Sequence, residues 1–197
     1  MIIRSMLAGV ALAALAATGA EAAALTVFNV SAPQINCVFN PTCTVTVGDS
    51  VENLTFTPFG TGAFVQSRTY PGQPNTPAAG ATAYEYRIDL RNADKYTDCI
   101  VGMVINFGPA LQLPVGPNNA KGHVFVTTQG GLGSVGIKSA EQDGAVITFT
   151  FDKYLCAGAT SYFFGLAASK APMASTGALF GFGAAPFIQT DVRVPQH

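Results

Sequence analysis

The sequence predicts an all-β domain, an antiparallel β-sandwich or jelly roll, stapled by two disulfides. Three observations lead to this prediction. Apolar and polar residues alternate with a period of two in many short segments, turn-forming Gly, Pro, Asn and Asp separate those segments, and four cysteines follow an export signal. No stretch shows a convincing amphipathic helix. A closed barrel is the second candidate, and the strands are spaced too irregularly for a repeat architecture.

The first two dozen residues have the features of a bacterial secretory signal peptide. Arg4 precedes an apolar run over 5–20, and both Ala20-Glu21-Ala22 and Ala22-Ala23-Ala24 fit a small-x-small cleavage site. The run is shorter than the roughly 20 residues that a spanning helix needs. We therefore expect residues 1–24 to be a cleaved signal, with the cut between Ala22 and Ala24, and residues 25–197 to form a single domain. The expected location is extracellular or at the surface of a Gram-negative-type bacterium, with the periplasm as the alternative.

The composition excludes several functional classes. Charged residues make up 11% of the chain and the formal net charge is −1, whereas an average soluble domain is roughly 25% charged. Such a chain has no basic surface for nucleic acid. With 49% hydrophobic residues it does not have the composition of a disordered protein either. No later stretch is apolar for long enough to span a membrane, so we expect no transmembrane segment in the mature chain.

About eleven segments of the chain after the signal have the character of strands. The run over 100–107 is nearly all apolar and predicts a central strand that is covered on both faces. Asp143-Gly144 predicts a hairpin turn before the segment that follows it. In chain order, the predicted strands are 25–30, 42–47, 51–57, 63–69, 84–91, 100–107, 122–128, 133–139, 145–152, 160–168 and 187–194.

Alternation is clear in the segment 84–91. The apolar residues of the pattern fall on one face of the strand: Tyr84, Tyr86, Ile88 and Leu90. The charged residues fall on the other face: Glu85, Arg87, Asp89 and Arg91. The pattern predicts a half-buried strand whose charges lie in water.

The four cysteines predict two disulfides, because an even count in an exported chain is typical of a disulfide framework. Four cysteines allow three connectivities, and we favour Cys37–Cys43 with Cys99–Cys156. Asn40-Pro41 provides a turn between the first pair, and each cysteine of the second pair ends a strand-like run. Zinc is not expected, because no two cysteines have the Cys-x-x-Cys spacing.

The residues that could support catalysis do not form a recognised motif. Ser134 lacks the glycine two residues earlier that a nucleophile elbow requires, and His123 is expected at the start of a strand. Glu85 and Asp89 share a face, but four residues of strand place their Cα atoms about 13 Å apart, too far for a glycosidase pair. The Gly-rich loop 130–133 has no Lys-Ser or Lys-Thr after it. We therefore predict no catalytic residues, no enzyme activity and no cofactor.

Two ligand hypotheses follow from the polar and aromatic residues. Oxygen-bearing side chains cluster after the strand at 84–91 and form a weak calcium candidate: Asp89, Asn92, Asp94 and Asp98. Arg91 and Lys95 dilute the charge there. Four tyrosines could instead form a platform on which sugars stack: Tyr70, Tyr84, Tyr96 and Tyr162. The absence of Trp weakens that second hypothesis.

The segment Ala-Tyr-Glu-Tyr-Arg-Ile-Asp-Leu-Arg-Asn over 83–92, followed by a buried strand that ends Val-Ile-Asn-Phe-Gly-Pro at 104–109, resembles the exported β-sandwich ectodomains of PEP-CTERM exoproteins. The resemblance covers about residues 80–195 and implies an extracellular or surface location. In that family the domain precedes a Pro-Glu-Pro sorting motif, a hydrophobic helix and a basic tail. This sequence ends close to where such a motif begins, with Gln196 in place of the Glu and without the helix and tail.

Three functional classes remain from the sequence. The leading hypothesis is an exported, non-catalytic structural, adhesive or matrix protein that associates with itself or with a surface polymer. Because charged residues are sparse, few of them are available to prevent pairing between exposed strand edges of two molecules. The Phe- and Gly-rich stretch 177–187 either belongs to the core or forms an exposed edge that pairs with a second copy. The alternative is a module that binds carbohydrate or a small ligand. A secreted hydrolase built on Glu85 and Asp89 comes third.

Overall fold

Twelve strands and one α-helix make up most of the regular structure in the residues that the computed structural model describes, which are 22–53, 62–93, 99–181 and 188–197. In chain order the elements are β1 (Ala23–Leu25), β2 (Val27–Ser31), α1 (Ala32–Phe39), β3 (Asp49–Asn53), β4 (Phe64–Pro71), β5 (Thr82–Asp89), β6 (Ile100–Asn106), β7 (Val124–Gln129), β8 (Ile137–Asp143), β9 (Val146–Leu155), β10 (Phe163–Ala168), β11 (Pro172–Gly181) and β12 (Ile188–Pro195). A short 3-10 turn covers Pro117–Asn119.

The strands form two six-stranded sheets that pack together as a sandwich. The first sheet has the order β1-β8-β9-β6-β11-β12, and the second has the order β2-β7-β10-β5-β4-β3. Among the paired strands, β2 and β7 run parallel and the other pairs run antiparallel. The predicted all-β sandwich is therefore confirmed, with one parallel pair that the sequence does not reveal.

The main core lies between the two sheets and contains the inward-facing residue of each alternating pair. Tyr84 and Tyr86 from β5 are fully buried there, and the Tyr84 ring packs edge-on against Phe107. Phe164 from β10 contacts the ring of Phe149 in the first sheet. The hydroxyl of Tyr86 donates a 2.7 Å hydrogen bond to the Arg193 carbonyl of β12, so this buried phenol has a partner.

A second, smaller core covers part of the outer face of the second sheet, which is the face turned away from the first sheet. Helix α1 begins because the Ser31 hydroxyl accepts the Gln34 amide hydrogen, with Pro33 in the first turn. It buries Ile35 and Phe39 against the sheet. The sequence predicted no helix, because eight residues are too few to show a helical period.

Both predicted disulfides, Cys37–Cys43 and Cys99–Cys156, are present. The predicted strand at 42–47 is wrong: those residues form a loop after α1. Cys43 has φ of +58°, which a strand cannot accommodate, and the Asn40 side chain accepts the Thr42 amide hydrogen to close a turn. The alternating Thr residues of this segment therefore lie in a loop, which the Cys37–Cys43 disulfide links to α1.

Other strand boundaries shift by a few residues, and two differences affect the topology. The predicted strand at 25–30 is divided at Thr26, so that β1 joins the first sheet and β2 joins the second. Strand β11 was not predicted as a unit, because its small and polar residues alternate poorly; pairing with β6 and β12 on its two sides holds it in place. The predicted strand at 51–57 begins in β3 and otherwise lies outside the described residues.

Within the described ranges, no helix has the length and apolar character needed to cross a membrane.

Candidate functional site

Three of the four charged residues predicted on the outer face of this strand are buried, which corrects the prediction that their charges lie in water. The fourth, Arg91, follows β5 and is exposed as predicted. Glu85 is 1% exposed, Arg87 is 5% exposed and Asp89 is 2% exposed. The alternation correctly separates two faces of the strand, but it does not show that the outer face is itself covered. Helix α1 and the loop after it cover part of that face, and neighbouring side chains of β4 and β10 enclose the rest.

Strand register places the charges of β4 and β5 beside one another. Arg68 on β4 pairs with Glu85 on β5, and Gly165 on β10 lies opposite Glu85 from the other side. A Cβ at Gly165 would lie 2.6 Å from the Tyr84 carbonyl oxygen and 2.7 Å from the Phe125 ring. Glycine is therefore required here for close packing beside the buried carboxylate.

Glu85 accepts two hydrogen bonds from fixed donors. Arg68 Nε donates to Oε2 at 2.6 Å, and the Tyr70 hydroxyl donates to Oε1 at 2.8 Å. Burial, together with the charge and hydrogen bond of Glu85, raises the pKa of Tyr70 well above its ordinary value, so the phenol keeps its proton and remains a donor. The carboxylate is thereby held in one orientation with one oxygen on each partner.

Phe163 of β10 lies between two arginines on the same face. The guanidinium carbon of Arg68 is 3.8 Å from the ring centroid, and that of Arg87 is 5.2 Å away. Arg87 is also 5.3 Å from the Phe64 ring. Cation–π contacts of this kind partly replace the hydration that buried arginines lose. In the described part of the chain, the Nε and Nη1 atoms of Arg87 are buried without a hydrogen-bond partner.

Asp89 is held by arginine, which disfavours the calcium hypothesis. The Arg91 guanidinium contacts both carboxylate oxygens at 2.6–3.0 Å, and Arg87 Nη1 lies 3.3 Å from Oδ2. Burial acts to raise the pKa of Asp89, but the hydrogen bonds and charges of the arginines outweigh it and hold that pKa below its ordinary value. Two arginine side chains therefore already pair with the carboxylate that a calcium ion would need as a ligand.

Of the remaining calcium candidates, the structure describes Asn92, which is exposed. Asp94 and Asp98 lie outside the described residues. Across the described ranges, no three His, Cys, Asp or Glu residues come close enough to hold a metal ion.

Next to the Arg68–Glu85 pair lies an open pocket of about 420 Å³, here called the outer-face pocket. Its polar wall contains Asn36, Arg68, Glu85 and Thr127, and its apolar wall contains Ile35, Val45, Val47, Leu132 and Phe163. Val47 and Leu132 are two of the few large hydrophobic side chains that are exposed in the described structure. Apolar walls with a few convergent polar groups are typical of ligand sites.

Thr127 of β7 is a buried polar residue beside the outer-face pocket. The residue is 5% exposed, and its hydroxyl has no hydrogen-bond partner within the described structure. The hydroxyl oxygen also has essentially no accessible surface, so a ligand in the open pocket would not reach it without a rearrangement. No sequence pattern marks Thr127, because its burial depends on which strand face the helix and loops cover.

The other predicted site residues lie elsewhere. His123 Nδ1 accepts the Thr26 amide hydrogen at 3.2 Å, where the chain crosses from β1 to β2. Burial lowers the pKa of His123, which favours this neutral, accepting form. Ser134 lies in the loop before β8, where its backbone amide bonds to the Thr160 carbonyl. Neither residue contributes to the outer-face pocket.

The proposed tyrosine platform is wrong. Tyr84 is fully buried between the sheets, and Tyr70 is buried on the opposite face of the second sheet, so no shared surface exists for them. Tyr162 is half-buried and Tyr96 lies outside the described residues. The reason is that aromatic residues in strands are placed by the packing on each face, and their order in the sequence does not determine exposure.

The described residues also line two other open pockets. One, of about 390 Å³, lies where the loops 71–80 and 111–122 meet α1, and includes Pro77, Pro114 and Asn118. The other, of about 470 Å³, lies on the first sheet beside Lys138 and the exposed Tyr154. Of these three pockets, the outer-face pocket adjoins the buried Arg68–Glu85 pair, and it is therefore the candidate site.

Comparisons of the chain with protein-family models, with curated proteins and with solved structures find no match.

Proposed function

We propose that this protein is an exported, non-catalytic adhesive protein that holds a small ligand, such as a carbohydrate unit of a surface or matrix polymer, in the outer-face pocket. The observation that carries the proposal is the outer-face pocket itself, in which the exposed side chains of Val47 and Leu132 lie beside the oriented Arg68–Glu85 pair. Exposed apolar side chains beside a few fixed polar groups are typical of a ligand site.

Binding fits the arrangement better than catalysis. A general acid or base must exchange a proton with a substrate, whereas Glu85 is already held by Arg68 and Tyr70. Asp89 is likewise held by arginine. Carboxylates fixed in this way act as permanent hydrogen-bond acceptors, which is the role they play in recognition.

Export is supported by the signal-like N-terminal sequence and by the two disulfides.

The binding proposal is tested by measuring how much labelled exported protein is retained on the cells and extracellular polymer of the culture that produces it. Val47→Ser and Leu132→Ser each remove an exposed apolar side chain from the wall of the pocket. The matched control is Val146→Ser, which removes a similarly exposed apolar side chain from the first sheet, away from the pocket. We expect both pocket variants to lose retention and the control to keep it. Equal retention of all three variants would refute the proposal.

Self-association remains a second form of the adhesive hypothesis, and one observation favours it. Strand β1 pairs with only the three residues Ala140–Gln142 of the seven-residue β8, so a strand from a second copy could extend this edge. Light scattering of the purified protein at rising concentration tests this idea. Growth in mass that Lys138→Pro abolishes would support it, because proline blocks edge pairing. A constant monomer mass would contradict it.

A further inference from the structure

Two of the lysines that the structure describes line one pocket on the first sheet. This open pocket of about 470 Å³, here called the first-sheet pocket, has Lys138 and Lys153 in its wall. The other lysines in the described ranges, Lys121 and Lys170, do not line it. In a chain with 11% charged residues and a formal net charge of −1, this pair is a local concentration of positive charge.

Two bulges in the strand pairing surround the first-sheet pocket. Strand β8 bulges against β9, and Lys138 is the extra residue of that bulge. On the other side of β9, the single residue Val101 of β6 lies opposite residues 151–154. This second bulge breaks the alternation of β9, so that residues 152–154 are all exposed. Bulges redirect side chains and are common next to functional sites.

The acidic residue of the first-sheet pocket contacts the backbone and forms no ion pair with the two lysines. Oδ1 of Asp152 accepts the Gly136 amide hydrogen at 2.9 Å, and a Cβ at Gly136 would lie 3.0 Å from Oδ2. In the described part of the chain, the salt bridges are formed by arginines. The ammonium groups of Lys138 and Lys153, both on exposed residues, are therefore accessible to an anionic ligand.

An exposed aromatic ring lies beside the two lysines. Tyr154 is 59% exposed and lines the same pocket. Tyrosine presents a flat apolar ring with a polar hydroxyl at its tip, which suits a sugar, whose C–H groups form an apolar face between polar hydroxyls. Lysine ammonium groups donate charge-assisted hydrogen bonds to carboxylates. All three side chains are exposed, so a ligand reaches them without any rearrangement of the sheet.

From these observations we infer that the first-sheet pocket binds an acidic sugar unit, a uronate within an extracellular polysaccharide. The sugar ring stacks on Tyr154, and its carboxylate bonds to Lys138 and Lys153. Nucleic acid is also anionic, but its binding depends on several basic side chains along the phosphate backbone, and the described wall of this pocket has two. The site lies on the first sheet, whereas the outer-face pocket lies on the second, so the inference adds a second binding site to the proposed function.

The test measures the binding of oligogalacturonate to the full exported protein by titration calorimetry. A neutral malto-oligosaccharide of the same length and a short DNA duplex are the comparison ligands. We expect oligogalacturonate to bind more tightly than either, and more weakly as salt is added. Lys138→Gln and Lys153→Gln should each weaken this binding by about two- to fivefold, the value of one exposed ion pair. The matched controls, Lys121→Gln and Lys170→Gln, change the net charge equally and should leave binding unchanged.

The contrary results are equally specific. Equal weakening in all four lysine variants would show attraction to overall charge, without a site, and would overturn the inference. Absence of oligogalacturonate binding, or tighter binding of the neutral sugar or of DNA, would overturn it as well. Tyr154→Ser should also weaken binding, and full affinity in that variant would refute the stacked arrangement. The outer-face pocket is tested through Val47 and Leu132, so either proposal can fail while the other stands.

Discussion

The disulfide Cys99–Cys156 should stabilise the fold about twice as much as Cys37–Cys43. Its two cysteines are 57 residues apart, and it joins the segment before β6 to the residue after β9. The cysteines of the other bridge are only 6 residues apart and close a turn after α1. In the loop-entropy model, a cross-link restricts the unfolded chain more when it closes a longer loop. The model gives about 4 kcal/mol for the long loop and about 2 kcal/mol for the short one.

The perturbation is a pair of double variants, Cys99→Ser with Cys156→Ser and Cys37→Ser with Cys43→Ser. Replacing both cysteines of a bridge avoids a free thiol. None of the four cysteines is fully buried, so serine is tolerated at each position. Urea unfolding followed by circular dichroism gives the free energy of unfolding of each variant. We expect the first variant to lose about 2 kcal/mol more than the second.

Two results would refute this reasoning. Equal losses from both double variants would show that loop entropy does not determine the contribution of the bridges. A larger loss from the Cys37–Cys43 variant would show that this bridge acts through the native state, by holding α1 and the pocket wall in place. The denaturant slope must also be compared, because a changed slope would indicate altered compactness of the unfolded state rather than a change in stability alone.

Three other predictions follow from the buried groups. Because burial lowers the pKa of His123, the unfolded chain takes up its proton first, so the free energy of unfolding should be full above pH 6.5 and fall as the pH drops below it. His123→Gln should reduce the change in unfolding free energy between about pH 7.5 and 5.0, measured by urea unfolding at each pH. An unchanged pH dependence would contradict this. Gly165→Ala should lower the free energy of unfolding by about 1–3 kcal/mol, because its Cβ would overlap a carbonyl and an aromatic ring; thermal melts at the parent value would contradict it. Glu85→Leu alone should cost about 3 kcal/mol, whereas combining it with Arg68→Met and Tyr70→Phe should restore most of the unfolding free energy without restoring binding; an additive loss would be the contrary result.

Much of the fold could be predicted from the sequence, because alternation and cysteine spacing are local signals. The faces of β5 and both disulfide pairs are correct for this reason. Helix α1 could not be predicted, since eight residues carry little periodicity and the fold is stabilised there by burial of Ile35 and Phe39. The parallel pairing of β2 with β7 depends on the crossover at Thr26, which no local pattern marks.

The candidate site was harder to predict than the fold, because it depends on tertiary cover. The charged residues of β5 were visible in the sequence, but their burial requires α1 and the loop after it to lie on the outer face. Thr127 and Phe163 come from other strands, and only the register of β7, β10 and β5 brings them together. A pattern within one segment cannot specify neighbours that are contributed by the pairing of distant segments.

Because this chain has few charged residues, the burial of several of them on one sheet face requires an explanation. A sandwich that served only as a scaffold would be at least as stable with apolar residues at Arg68 and Glu85, because a buried ion pair seldom repays its lost hydration. The chain carries 11% charged residues, yet it places Glu85, Arg87 and Asp89 almost fully out of water on one sheet face. Because these charges cost stability where they lie, their retention on this face supports the proposed recognition role over a purely structural one.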